Sequence, residues 1–192
     1  MEEQTNQTTE DLSKTIENDL SEQFSNNCKV SKNEKNRGTG AGGANTNKSG
    51  LEFEKNTNLD NFENEEFINL KKKLFKHFKI NTRTINGGHG CKQPDECFLS
   101  EKNKNLFIIE KKKQQCSGSI CEKIQTPEFK IWFFNKHLDN KYKIIYIYCL
   151  SDWFKDNCKE ELEYLKEKNI PVFYGNDKDY KTQIIDYMIN YK

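Results

Sequence analysis

The apolar residues of this chain come in short, separated runs, and their spacing changes along it. Leu12, Ile16, Leu20 and Phe24 recur every four residues in a stretch otherwise rich in Asn, Ser and Glu. That is a faint amphipathic helix pattern in a segment too polar to bury a core, so residues 1–36 are expected to be a disordered tail. Residues 37–50, with Gly38, Gly40, Gly42, Gly43 and Gly50, are too glycine-rich for helix or strand and predict a loop, a substrate loop or else a flexible linker, opening a folded domain that spans 37–192. Ser49 is placed to cap a helix opening at Leu51. Phe67, Leu70, Leu74, Phe75 and Phe78 form one helical stripe over about 64–79, and Ile80–Ile85 alternates as a strand before the turn Asn86–Gly90.

Asp95–Leu99 and Asn105–Lys113 predict two strands of a hairpin around the polar turn 101–104. Gly118-Ser119 precedes a helical stretch to about His137 that is expected to break at Thr126-Pro127, with Thr as cap and Pro in the first helical position. Tyr142–Leu150 (YKIIYIYCL) is a buried strand by its aromatic and β-branched content. Ser151-Asp152 then caps a helix to about Lys168, Ile170–Tyr174 is a short strand, and 178–190 a last helix. The first three strands are expected to be antiparallel or mixed and the later ones joined by parallel crossovers. The fold class is α/β, a mixed sheet with helices on both faces.

Composition changes this picture in two ways. Only 33% of the 192 residues are hydrophobic and 32% are charged, which places the weak segments in the tail and concentrates the core in the remainder. The longest mostly apolar run, Ile144–Leu150, is far short of the roughly 20 residues that span a bilayer, and the acidic N-terminus has no apolar signal core. No membrane association is expected, and the expected location is intracellular, cytoplasmic or, for a eukaryotic or viral source, nuclear or viral. The formal charge of +1 hides unlike segments: residues 1–28 hold seven acids and one Lys, whereas residues 71–136 hold fifteen basic residues and six acids. A polyanion would meet that basic middle, so near-neutrality does not exclude a nucleic-acid partner. The preference for Lys over Arg and the abundance of Asn are what AT-rich codons produce, so a run such as Lys71-Lys72-Lys73 is read as a solvated face.

The seven cysteines (Cys28, Cys91, Cys97, Cys116, Cys121, Cys149 and Cys158) show no CxxC spacing, so reduced thiols are expected and a zinc site is not. Gly42–Ser49 lacks the glycine a P-loop needs before its Lys, and no apolar strand precedes it. His77 and His137 sit in helical contexts and His89 in a glycine turn.

One constellation carries chemistry. Strand alternation sends Glu110 and Lys112 from the same face, about 6–7 Å apart. Asp95, on the hairpin partner, can come alongside. Two carboxylates at one sheet edge make a hard oxygen site suited to Mg²⁺, and a neighbouring lysine can hold the attacking water and offset charge on a phosphate. The competing readings are a strand-end ion pair for Glu110 and Lys112, a turn residue after Pro94 for Asp95, and acids favoured at a helix start for Glu52 and Glu54.

Pro94-Asp95 followed by Glu110-x-Lys112 across a hairpin resembles the PD-(D/E)xK nuclease superfamily, whose common core has the order αβββαβ read here, with a further αβα extension at the C-terminus. Gly40–Asn47 with Gly50-Leu51-x-Phe53-Glu54, and Gln115-x-x-Gly118-Ser119-x-x-Glu122-Lys123, are similar to segments of some type II restriction endonucleases. The resemblance implies a metal-dependent endonuclease acting on double-stranded DNA as a homodimer, with Mg²⁺ (or Mn²⁺ in its place). It implies Asp95 and Glu110 as metal ligands, Lys112 on the water and Glu54 as an assisting carboxylate, leaving open whether Glu52 or Glu54 joins the metal. Asn45, Thr46, Asn47, Gln115, Ser119 and Lys123 are the expected DNA contacts. A structure-selective repair or recombination nuclease on the same core, and a non-catalytic DNA-binding protein with a degenerate nuclease fold, stand as alternatives.

Overall fold

The longest apolar runs sit at the centre of the molecule. In a computed structural model, which describes residues 41–85, 92–115 and 120–191 (with side chains from residue 48 onward), YKIIYIYCL supplies a strand buried along most of its length. The element order is α1 (Ala41–Asn56), β1 (Ile68–Asn69), α2 (Leu74–His77), β2 (Glu96–Ser100), β3 (Asn105–Lys112), α3 (Ile120–Ile124) and α4 (Pro127–His137). It continues with β4 (Lys143–Leu150), α5 (Trp153–Asn157), α6 (Lys159–Glu167), β5 (Val172–Tyr174) and α7 (Tyr180–Ile189). The five strands form one sheet in the order β1-β2-β3-β4-β5. β1, β2 and β3 are antiparallel, while β4 is parallel to β3 and β5 parallel to β4. This is an α/β fold with a mixed sheet flanked by helices.

Alternation along β3 and β4 divides the core in two. Leu106, Ile108, Tyr146 and Tyr148 pack with Leu74 and Phe75 of α2, Ile124, Phe133 and Phe134 of α3 and α4, and Phe154 and Leu165 of α5 and α6. Phe107, Ile109, Ile145 and Ile147 pack on the other face with Phe53 of α1 and Tyr180, Ile184 and Met188 of α7. Both faces of the central strands are thus apolar, as parallel strands under helices require. The end of β5 approaches α1 so closely that a Cβ on Gly175 would lie 2.5 Å from Thr57 Cγ2 and 2.7 Å from Phe53 Cζ.

Several sequence expectations are corrected. Residues 41–50 are not a loop but the first turns of α1; the helix is carried past its glycines by a C-terminal half anchored through buried Phe53, which offsets the roughly 1 kcal/mol each glycine costs. The helix expected over 64–79 is mostly turns, with β1 and the single turn of α2 inside it. Asn side chains compete for the backbone there: Asn64 Oδ1 accepts from the Glu66 N–H and Asn69 Oδ1 from the Lys71 N–H, and Lys71 and Lys79 take φ of 51° and 55°. Ile80–Ile85 is no strand; Thr82–Thr84 is a 3₁₀ turn, and Ile68–Asn69 pairs with Leu99 and Phe98 instead. The expected 151–168 helix breaks at Cys158 (φ −134°, ψ 50°). Pro127 does open α4, but the Thr126 hydroxyl donates to the Lys123 carbonyl rather than capping the helix, and Asp152 pairs with Lys155 instead of capping α5.

Cys121 and Cys158, 37 residues apart, are joined in a disulfide, correcting the reduced state expected for that pair; folding lays α3 against the α5–α6 junction and brings the thiols together. Cys97 and Cys149 are free and buried. No helix among the described residues is long and apolar enough to cross a membrane. The tail 1–36, Gly38, Gly40, His89, Cys28, Cys91, Cys116, Gly118 and Ser119 lie outside the described residues.

Candidate active site

The C-terminal end of β3 leaves the core as Glu110-Lys111-Lys112, and alternation decides what each side chain meets. Glu110 and Lys112 continue the face of Leu106 and Ile108, the side covered by α3 and α4. Asp95 precedes β2, in phase with Cys97 and Leu99 of the same face. The Lys111 backbone N–H donates to Asp95 Oδ2 at 2.8 Å, which pins the carboxylate across the hairpin. Lys112 Nζ lies 2.6 Å from Glu110 Oε1 and 3.8 Å from Asp95 Oδ2, so one ammonium stands within ion-pair range of both carboxylates.

A second lysine reaches the same oxygen. Lys130 of α4 places Nζ 2.9 Å from Glu110 Oε1 and 5.5 Å from the centroid of the buried Tyr146 ring. The site is recessed but open: side-chain exposure is 13% for Glu110, 14% for Lys130, 19% for Asp95 and 22% for Lys112. Glu110, Lys112 and Lys130 line a cavity of about 410 Å³ with Lys92, Gln93, Lys123 and Thr126.

The two carboxyls are pushed apart in acidity. Burial first, then the Glu110 charge, raises Asp95 above its ordinary value, with a smaller push from Glu54. Burial acts to raise Glu110 as well, but Lys112 and Lys130 outweigh it and hold that carboxyl below its ordinary range. Burial lowers Lys130, partly offset by Glu110. Burial and the Glu110 charge keep the Tyr146 phenol well above its ordinary value.

The opposite face of the same strand end holds a different pair. Lys111 Nζ lies 2.8 Å from Glu96 Oε2 and donates to Asn58 Oδ1 at 2.6 Å and to the Glu54 carbonyl at 3.3 Å; Glu96 Oε1 accepts from the Leu59 N–H at 3.0 Å. Both side chains are sealed, at 0% and 3% exposure.

Of the residues expected at the site, Asp95, Glu110 and Lys112 are brought together. Glu54 stands at its edge: the side chain pairs with Lys72 at 2.6 Å, and its charge is felt at Asp95. Glu52 is exposed on α1. Lys123 lines the cavity, and Gln115 is exposed just beyond β3. Asn45, Thr46 and Asn47 fall within α1, with side chains outside the described set, and Ser119 is not described. His77 packs edge-on against Phe78 and His137 against Phe133, both away from the carboxylates' contacts.

Lys92, Lys130 and the Glu96–Lys111 pair were not anticipated. Lys130 had a legible signal: Pro127, Lys130 and Phe134 lie at i, i+3 and i+7, so the helix that buries Pro127 and Phe134 carries Lys130 inward on the same stripe. Glu96 and Lys111 had only their alternation.

The donor set fits a hard divalent cation. Two carboxylates converge at partly buried strand ends, and a cation, the Lys112 ammonium, already stands between them. Asp95 and Glu110 balance Lys112 and Lys130, so a bound divalent ion would leave a positive site able to accept an anionic phosphate. Asp95 and Glu110 offer two carboxylates; among the described residues the one place where three His, Cys, Asp or Glu side chains converge is Cys121, Cys158 and Glu161, where the two sulfurs are bonded to each other. Compared with known proteins, the chain matches no protein-family model, no curated protein and no solved structure.

Proposed function

We propose that this chain is a Mg²⁺-dependent endodeoxyribonuclease of the PD-(D/E)xK kind, hydrolysing phosphodiester bonds in DNA. The observation that carries the reading is the junction at the end of β3, where Asp95, Glu110 and Lys112 share one face and the last two open into a lysine-lined cavity. The order α1, β1–β3, α3–α4, β4, with β4 parallel to β3, supports the same reading, as do the α5–α6, β5 and α7 elements that extend it.

Asp95 and Glu110 would hold Mg²⁺, or Mn²⁺ in its place, and the ion when bound would neutralise phosphate charge and acidify a coordinated water. Lys112, released from Glu110, orients the attacking water and offsets charge building on the phosphate. Lys130, Lys92 and Lys123 draw the backbone into the cavity, which makes binding fall with salt. Glu54 supports the Asp95 side of the site through its charge. Gln115 and Ser119, just past β3, are placed in the chain to contact phosphate or bases. The family resemblance implies products with 5′-phosphate and 3′-hydroxyl ends. In the sequence-specific form, cutting both strands at one short duplex site would take two active sites, hence a homodimer.

The test is digestion of mixed-sequence plasmid with Mg²⁺, followed by sequencing of the fragment ends. Discrete ends at one short site, absent with Glu110→Gln, establish a sequence-specific enzyme. Plasmid left intact by the wild type with both Mg²⁺ and Mn²⁺ sinks the proposal. Ends clustered at nicks, flaps or junctions establish the structure-selective form of the same chemistry, which Phe129 and Trp132 of α4, each 53% exposed, favour.

A further inference from the structure

Beside the catalytic cavity lies a second one of about 580 Å³, whose lining includes Lys92, Phe129, Trp132, Phe133, Lys136 and His137. Lys92 lines both, so the two are neighbours. Phe129 and Trp132 are each 53% exposed, and among the described residues no other aromatic side chain is counted with the exposed large apolar ones. Their ring centroids are 5.5 Å apart at an interplanar angle of 33°, and Lys136 Nζ sits 5.1 Å from the Trp132 ring. Phe129 is the immediate neighbour of Lys130. One turn of α4 therefore directs a cation at Glu110 and an aromatic face at solvent.

Glu128, next to Phe129, is paired with Lys168, and the charge lining the two cavities is mostly positive. Among the described residues that line the two cavities, Lys92, Lys112, Lys123, Lys130 and Lys136 are the lysines and Glu110 is the one acid. A second copy of the chain seated on this face across a two-fold axis would set these lysines against their own copies, an arrangement that like charges oppose. A polyanion meets no such penalty. Exposed aromatics flanked by cations are what single-stranded nucleic acid uses, with lysines on phosphates and rings under bases, because every base has a π-face. In a duplex both faces of each base are covered by its neighbours, so a ring on the protein surface can stack only on a base that is unpaired or turned out.

We propose that Phe129 and Trp132 form a stacking platform for an unpaired nucleobase next to the phosphate held at Glu110 and Lys112, making DNA with a single-stranded element the preferred substrate class. This deepens the nuclease reading and rests on it for the position of the phosphate. The test measures binding by fluorescence anisotropy with Ca²⁺ replacing Mg²⁺. The probes are a single strand, a blunt duplex and a duplex with a single-stranded flap. Wild type, Phe129→Ala, Trp132→Ala and Trp132→Phe are compared at one salt concentration.

Trp132→Ala is expected to weaken the single strand and flap by about 10-fold, Phe129→Ala less, and the blunt duplex by under about 2-fold, with Trp132→Phe restoring most of the affinity. In a Trp153→Phe background, binding of the single strand should quench the remaining Trp132 emission. Equal losses on flap and blunt duplex, no loss on any probe, or a self-association that Trp132→Ala abolishes would each overturn the platform. Flap-selective, Trp132-dependent binding by a protein that cuts nothing with Mg²⁺ would support the platform and sink the nuclease reading, so the two failures are distinguishable.

Discussion

Lys111 and Lys112 are adjacent on β3, each is paired with a glutamate, and the two pairs have opposite characters. Lys111 is ion-paired with the Glu96 carboxylate and donates to an amide and a carbonyl, and Glu96 also takes the Leu59 N–H; both side chains are buried. Lys112 shares the single oxygen Oε1 of Glu110 with Lys130, stands near a second carboxylate, and borders a cavity. The sealed pair fixes α1 onto the sheet, since Glu54 and Asn58 both belong to the segment it grips. The open group has two cations on one carboxylate oxygen, and under the proposed function these partners would be exchanged for a metal, a water or a phosphate. Residue type does not separate the two pairs; burial and access do.

The largest effect that tests this contrast is on stability. Lys111→Met leaves Glu96 buried without its cation and should cost about 3–5 kcal/mol, read by urea denaturation, with cleavage per folded molecule little changed. Glu110→Gln should do the reverse, lowering cleavage by about 100-fold or more while losing clearly less stability than Lys111→Met. If Glu110→Gln unfolds the protein as readily and cleavage by the folded fraction persists, the two pairs are alike and the open one is structural.

A smaller effect is expected from Lys130→Gln. It removes one competitor for Glu110 Oε1, so Ca²⁺ or Mn²⁺ should bind several-fold tighter by calorimetric titration while cleavage slows by about 10-fold. Weaker metal binding would mean that Lys130 only supports the fold. Smaller still, Glu96→Leu with Lys111→Met should recover most of the stability lost by the single change, to within about 1 kcal/mol of wild type, because a sealed pair replaced by apolar groups loses little.

The smallest effect is the pH response of Asp95. Its carboxyl is raised, so the folded chain holds that proton more tightly than the unfolded one. The stability it contributes is present at low pH and is lost as pH rises through the raised value. Asp95→Asn should therefore raise the melting temperature slightly at pH 7, keep the bond from the Lys111 N–H, and lose the gain below about pH 4. Glu110 is depressed and works oppositely: its contribution is present at neutral pH and lost as pH falls through the lowered value. A melting profile in which Asp95→Asn destabilises at pH 7 would contradict the burial argument.

The hairpin, the buried β4, the break at Pro127 and the grouping of Asp95, Glu110 and Lys112 were all legible, because each rests on local pattern: period-two alternation, β-branched content and a missing N–H. The outer strand was not. Ile68–Asn69 joins the sheet through pairing with Phe98 and Leu99, thirty residues away, while local Asn side chains and left-handed lysines cancel the helix its apolar stripe promised. The glycine segment misled for the converse reason: propensity argued against a helix that the anchoring of Phe53 carries through.

The sequence by itself determined that Lys111 and Lys112 face opposite ways, since successive strand residues always do. Only the tertiary structure decided which of them is sealed. Burial depends on what arrives over each face: on one side α1 and Asn58 close over Lys111, and on the other α4 delivers Lys130 but leaves a cavity. Those arrivals come from residues tens of positions away, and no local period encodes them.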